Sequence, residues 1–419
     1  MSVSQILKSV EQRAVIDSKS VKDAIDALAK LGFPARRVER WRYTRSDAFS
    51  EYAARALQTE RPSSDNAEAA LTRWCKSNEI EHYAAFIGGE FREDLSRVPD
   101  GFAIQSIDVA PSIGSLDDPA DALVWLNTIA TQGRYQISVE GKPEQTLHCV
   151  HVPLAEQSIA QTRVHLQIAE GADASITDHL VDGDVTSGML SLITTIDLAA
   201  RAKLSHARLQ ACGAETLAFT RIDADIAKGA TCRTLTLDTG GLLVRNELNL
   251  RLNDVDAAAY LDGIYLSNNK QHIDNHTQVD HASRDTVSRE SYRGILRDRS
   301  RCVFIGKVLV YEGADGTDSV QSNANLLLSD HAELDTNPEL EIYADDVKCA
   351  HGATVGQLDP QSLFYLRARG IDEATATQLL TYAFCRELTA ELADPVVRRL
   401  ADTAIAAEIP NFTALELIA

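Results

Sequence analysis

From about residue 135 to 358 the chain alternates apolar and polar residues in short runs. Val164, Leu166 and Ile168 alternate with Arg163, His165 and Gln167, and Leu248, Leu250 and Leu252 with Asn249 and Arg251. Such a period of two places one set of side chains on each face of a strand. Small or polar turn entries recur at 171–172, 200–202, 229–230, 254–257, 301–302 and 331–332, most of them close to thirty residues apart. The exception is the interval that holds 267–299, which reads as a longer insert. A strand-only repeat of that length predicts a solenoid. No helical pattern of ten to fifteen residues intervenes, so βαβ units are excluded. The pattern alone leaves a β-sandwich and a β-helix in competition.

Helical periodicity flanks this region. Val21, Ile25, Leu28 and Ala29 share one helix face, which Gly32 and Pro34 terminate. Residues 1 to about 95 read as mainly helical, with a polar loop at 59–68 and a short helix around Leu71, Trp74 and Cys75. Short strands and turns follow at 83–109, then a helix at 119–131 around Leu123, Trp125 and Leu126. Beyond Asp359, Asp372 caps a helix striped by Ala376, Leu379, Leu380, Ala383 and Phe384. Asp394-Pro395 opens another, whose face is Val397, Leu400, Ala401 and Ile405. The division is therefore 1–134 mainly helical, 135–358 strands, and 359–419 helical. A solenoid exposes unpaired backbone at both ends, so helical domains at the two ends of the chain are expected to cap it.

Composition narrows the function classes. The chain has 419 residues, 44% of them hydrophobic, enough for a large core, and a net charge of −20. The one local basic cluster is Arg36, Arg37, Arg40, Arg42 and Arg45 around ERWRYT, either a solvated helix end with Trp41 and Tyr43 packed inward or a binding patch. No basic stripe supports nucleic acid or an anionic membrane as partner. No apolar run reaches the length of a membrane span and the first residues carry no signal-peptide core, so a soluble, cytoplasmic protein is expected. The seven cysteines (75, 149, 212, 232, 302, 349 and 385) are dispersed without CxxC pairs, as in a reducing compartment. With no GxxxxGK[ST] or GxGxxG, nucleotide binding through a phosphate loop is not expected.

Two constellations carry candidate chemistry. In an extended segment Cys349 and His351 project from one face, a thiolate donor beside an imidazole donor. They supply either half of a site for zinc, copper or an iron–sulfur cluster, or a buried cysteine beside a hydrogen-bonded histidine at a turn. The second is His272, His276 and His281 with Asp274, Asp280 and Asp285. As a strand, His272, Asp274 and His276 line one face while His281 has the opposite parity, an arrangement that favours structural or interface histidines over a metal site.

The segment LEIYADDVKCAHGATVGQLD, Leu340 to Asp359, closely resembles the C-terminal signature of the SufB/SufD family of the SUF iron–sulfur cluster assembly machinery. ERWRYT, Glu39 to Thr44, preceded by GFPARR, resembles an N-terminal element of the same family. QHIDNHTQVDH, Gln271 to His281, and the following GILRDRSRCVFIGKVLV extend the likeness over most of the chain. SufB-type chains carry Glu after the signature His, where Gly352 stands here. They also carry a cysteine in the preceding strand, where Val320 to Leu328 has none. Both departures point to the SufD branch.

The resemblance implies a right-handed parallel β-helix between helical domains. It implies a non-catalytic scaffold subunit working with a SufB paralogue and the SufC ATPase, which opens and closes the SufB–SufD contact. Cys349 and His351 would lie at that contact as ligands to iron or a nascent cluster. The C-terminal helices, through Leu379, Leu380, Phe384, Val397 and Leu400, would dock the ATPase. The isolated chain is expected to hold no stable cluster, only transient iron or Fe–S in the complex. A homodimer is expected where the SufB partner is absent. The competing readings are a SufB-like homodimeric scaffold and a carbohydrate-active β-helix enzyme. Gly352 and the missing cysteine weigh against the first; the Cys/His character of the best site weighs against the second.

Overall fold

In the computed structural model, residues 2–12, 19–59, 61–108, 111, 113–410 and 412 are described. From Gly133 to Gly356 the chain shuttles between two facing sheets, leaving one strand in each per turn. The result is a parallel β-solenoid of about eight turns. The sheet called first here ends in strand Lys348–Gly356, the second in Glu333–Ile342. In the second sheet Ser158 stands beside Gly188, Met189 beside Leu217, Leu243 beside His272 and Arg301 beside Glu333. The spacing of about thirty residues is thus the length of one turn.

The alternation in the sequence is the alternation between lumen and outer face. Val164, Leu166, Ile168, Leu248, Leu250 and Leu252 all enter the lumenal core. Two stacks of turns, one along each edge, join the sheets. In the first stack one position recurs in the left-handed region, taken by Gly171, Arg201, Gly229, Asp256, Asp285 and Gly316, with φ between 57° and 78°. Backbone N–H groups there donate to the turn above, as from Gly171 to Ala200 O (3.0 Å) and Asp285 to Asp315 O (2.9 Å).

This geometry corrects the reading of 267–299 as an insert. The stretch is a regular turn, with strands His272–His281 and Val287–Leu296. Its connection is the polar run 282–286, in which Asp285 holds the left-handed position, which an aspartate tolerates. The entries at 301 and 331 belong to the second stack.

The helices cover the flanks of the solenoid rather than its ends, contrary to the expected caps. Part of the reason is that stretches of each sheet's outer face are apolar. On the second sheet, Ile159, Met189, Ile193, Leu217, Phe219 and Leu243 pack against N-terminal helical residues such as Phe49, Leu123 and Leu126. On the first sheet, Leu209, Leu235, Leu237, Ile264, Leu266 and Ile295 lie under helices Glu373–Thr389 and Pro395–Ala407. Helix Asp65–Ser77 covers Ala85, Val150, Val152 and Val181 nearby. Strands Tyr83–Ile87 and Phe102–Ser106, from the stretch assigned to the helical region, extend the two sheets. The antiparallel contacts of Phe102–Ser106 and Glu90–Phe91 close that end of the solenoid. Among the described residues the other end is open: Glu333–Ile342 and Lys348–Gly356 each pair on one side only. No helix among the described residues is long and apolar enough to cross a membrane.

Candidate functional site

Cys349 and His351 stand on the open end. Their strand pairs with Asp318–Leu327 so that Cys349 lies beside Ser319 and His351 beside Gln321. Ser319, Gln321, Asn323 and Asn325 are all buried and share the lumenal face. Cys349 and His351 have the same parity, so both donors belong to the lumenal row of the last turn. His351 is exposed and Cys349 half-buried beside Leu340 and Val347. Among the seven cysteines Cys349 alone is not buried. Burial nevertheless pushes its thiol up, with the Ser319 backbone opposing, so the protonated form is favoured at neutral pH. The buried Cys302, bonded to Ser267 Oγ at 3.2 Å, is pushed further, to about 12.

The row beneath the donors is polar, as are the buried rows His206, Arg208 and Gln210 and Thr234, Thr236 and Asp238 lower in the same sheet. Asn325 Nδ2 donates to Asn323 Oδ1 (2.7 Å), Asn323 Nδ2 to Tyr265 OH (3.0 Å), and Thr336 Oγ1 to Asn323 Oδ1 (3.0 Å). Tyr265 OH donates in turn to Asn325 Oδ1. Gly294 makes this possible, since a Cβ there would stand 2.2 Å from Asn325 Oδ1 and 2.3 Å from the Tyr265 ring. Around this hydrogen-bonded floor the rim is apolar and uncovered. Tyr343 is 64% exposed and Val355 52%, with Val320 and Ile342 also exposed. Ile342 and Val355 with the aromatic Tyr343, all at the unpaired sheet edges, are the composition of a contact surface.

The histidine segment forms a different structure. Strand His272–His281 bears His272, Asp274 and His276 on its outer face, and that face is covered by ERWRYT. Thr44 donates to Asp274, and His272 Nε2 lies 2.8 Å from the same hydroxyl. Arg245 donates to Asp274 (2.6 Å) and Glu247 (2.7 Å), with its guanidinium 4.7 Å from the Trp41 ring centroid. His276 Nε2 lies 2.6 Å from Arg245 Nη1. Arg40 and Arg221 both reach Asp121 and Glu247. Three arginines thus meet three acids, Asp121, Glu247 and Asp274. Burial alone would raise the Glu247 and Asp274 carboxyls, but the surrounding cations hold both well below the usual range. His281 faces the lumen between Thr286 Oγ1 (2.7 Å) and Ser288 Oγ (2.9 Å). Asp280 pairs with Arg251 (3.3 Å), and Asp285 sits in its exposed turn. Among the described residues no three His, Cys, Asp or Glu side chains are grouped to hold a metal ion.

The proposed docking residues divide. Val397 (2% exposed) and Leu400 are buried against the outer face of the first sheet, so these two are not available to a partner. The helical period reports that a face is covered, and here the solenoid covers it. Leu379, Leu380 and Phe384 are half-buried, with Arg293 over the Phe384 ring at 4.9 Å. The exposed apolar residues of this region lie on helix Pro360–Arg367, which the sequence did not single out. It buries none of its residues and presents Phe364 (74% exposed) and Tyr365 (56%).

The chain is similar to known proteins over nearly its whole length. The family model described as SUF system FeS cluster assembly, SufBD core domain, matches residues 151–384. The iron–sulfur cluster assembly protein SufD of Escherichia coli is 30% identical over 404 residues, 94% of this chain and 93% of that protein. A SufBD family protein of Mycobacterium leprae is 36% identical over 192 residues, 44% of this chain and 49% of its own. One from Synechocystis is 25% identical over 389 residues, 87% and 85% respectively. The matched region runs from the strand of Cys149 through both terminal strands to Phe384, so it contains the open end and the Cys349–His351 pair. The chain therefore belongs to the SufBD family of iron–sulfur cluster assembly proteins and is SufD-like.

Proposed function

We propose that this chain is a non-catalytic scaffold subunit whose open solenoid end meets a SufB paralogue and offers Cys349 and His351 to iron or a nascent cluster. The observation that carries this reading is the position of the only unburied cysteine, beside a histidine of the same parity, on the terminal edge strand. Two donors leave a four-coordinate iron incomplete, so the remaining ligands come from the facing subunit. Iron is here cargo rather than a resident cofactor. When the partner supplies its donors, the Cys349 thiol gives up its proton as sulfur binds the metal. The apolar rim at Ile342, Tyr343 and Val355 excludes water around the junction. A second copy of the chain can occupy the same end where the paralogue is absent.

The ATPase subunit docks on the exposed side of the C-terminal helices, centred on Phe364 and Tyr365. The buried stripe at Val397 and Leu400 holds those helices to the solenoid. Movement of the ATPase pair is thereby passed to the open end by the short connection from Gly356 to Pro360.

Co-expression with SufB- and SufC-type partners, anaerobic purification, and iron and sulfide analysis test the reading. Cys349→Ala and His351→Ala are expected to assemble normally with reduced iron. Iron equal to that of the unaltered complex would reject the ligand role.

A further inference from the structure

Directly below His351 in the lumen are Gln321 and then Glu290, each one strand lower in register. Glu290 is buried, and Gln321 Nε2 donates to its Oε2 at 2.7 Å. Its other oxygen and Gln321 Oε1 are buried without a partner. Among the described residues no cation pairs with this carboxyl. The groups around it are Tyr292 on its own strand, Asp262 on the strand below, Thr277 from the opposite sheet and Gln321 above. The Arg208–Asp238 pair and His281 lie further along the lumen. An ionised carboxylate this buried needs a counter-charge, and without one it is held as the neutral acid. Burial pushes the Glu290 carboxyl up to about 7, with the nearby Thr277 hydroxyl and the bonded Gln321 amide opposing.

We propose that Glu290 is the internal counter-charge of the terminal site: a neutral acid while the end is empty, ionised when a cation binds at Cys349 and His351. In that step the Glu290 O–H bond breaks, the proton leaves to solvent, and the carboxylate remains facing the new positive charge. No oxidant or reductant is involved. Two strand spacings put Glu290 about 10 Å from the donors. At that range one full charge changes a protonation midpoint by about one pH unit, or a cation affinity roughly tenfold. Glu290 touches neither donor, so it is a positioning and charge-balancing residue. The cation step rests on the function proposed above, whereas the coupling between the rim and Glu290 does not.

Infrared spectroscopy of the full chain across pH 5 to 9 reads the protonated carboxyl directly. The expected result is a protonated-carboxyl band that titrates near neutral pH and is absent from Glu290→Gln. His351→Arg places a permanent cation on the exposed rim, where packing is not disturbed. It is expected to move the midpoint of that band down by about one unit. In the complex with its partners, zinc(II) as probe is expected to move the midpoint of the band down by about one unit, and Glu290→Gln to bind zinc roughly tenfold more weakly. Identical spectra for the unaltered chain and Glu290→Gln, or an unmoved midpoint in His351→Arg, would overturn the proposal. A shifted midpoint in His351→Arg with a band indifferent to zinc would uphold the coupling and reject the donors as a cation site.

Discussion

Thr44 donates its hydroxyl proton to Asp274, 230 positions further along the chain. The bond joins the N-terminal ERWRYT segment to the middle of the solenoid and completes the shell around a carboxylate that Arg245 already holds. Two of the most distinctive motifs of the sequence are thus parts of one latch.

Removing this latch should weaken folding without touching the end of the solenoid. Thr44→Val is expected to lower unfolding free energy by about 1–3 kcal/mol, the cost of an unsatisfied buried group. Arg245→Met leaves Asp274 and Glu247 with one fewer cation and is expected to cost about 3–5 kcal/mol. Chemical denaturation measures both, and iron per folded complex should be unchanged.

The same acids set an acid limit on stability. Asp274 and Glu247 have folded pKa values below their unfolded ones. Their contribution is therefore complete above the ordinary carboxylate range and is lost as pH falls below about 4. His281 acts earlier: burial lowers it to about 4, so the unfolded chain takes up its proton first. Its effect is a loss of stability as pH falls from about 6.5 towards 4. In urea titrations at a series of pH values, His281→Gln should flatten the upper part of this slope and Asp274→Asn the lower.

Thiol chemistry gives a direct count of accessibility. In the folded chain one cysteine should react readily with an aromatic disulfide reagent, and Cys349→Ser should abolish that reaction. All seven should react after denaturation. Burial of Cys349 at the junction predicts that its reaction slows severalfold in the partner complex.

The C-terminal helices offer two contrasting substitutions. Phe364→Ala and Tyr365→Ala should weaken retention of the ATPase in pull-downs and leave the melting temperature within error. Val397→Ala should do the reverse, destabilising the chain by about 1–3 kcal/mol with the ATPase retained. Truncation at Asp372 would bare Leu209, Leu235 and Ile264 and so could not separate docking from folding.

The strand repeat pointed to a solenoid because each lumenal position repeats the same demand, as Leu248, Leu250 and Leu252 do, but the family resemblance was needed to choose it over a sandwich. The parity argument likewise put Cys349 and His351 together. What alternation could not reveal was burial of polar positions. Arg245 and Glu247 lie on the outward phase of their strand, where charge is usually solvated, and only ERWRYT folding over them encloses the network. Glu290 has the lumenal phase but reads as an ordinary strand glutamate beside Ser291. A signal was present in QSNAN, Gln321 to Asn325, whose amides fall on alternate positions. The helical stripes at Val397 and Leu400 gave the covered face correctly, but a stripe carries no information about which molecule covers it.

Each turn of the solenoid contacts mainly the turns beside it, so protection from solvent is expected to be graded along the axis rather than uniform. Interior turns are held from both sides, while the last, from Glu333 to Gly356, is held from one. Amide exchange should therefore run fastest there and slow progressively inward. The two donor side chains consequently sit on the part of the molecule that opens most often. A binding partner gains the most by completing that turn, and its arrival would be recorded as a loss of exchange confined to the final strands.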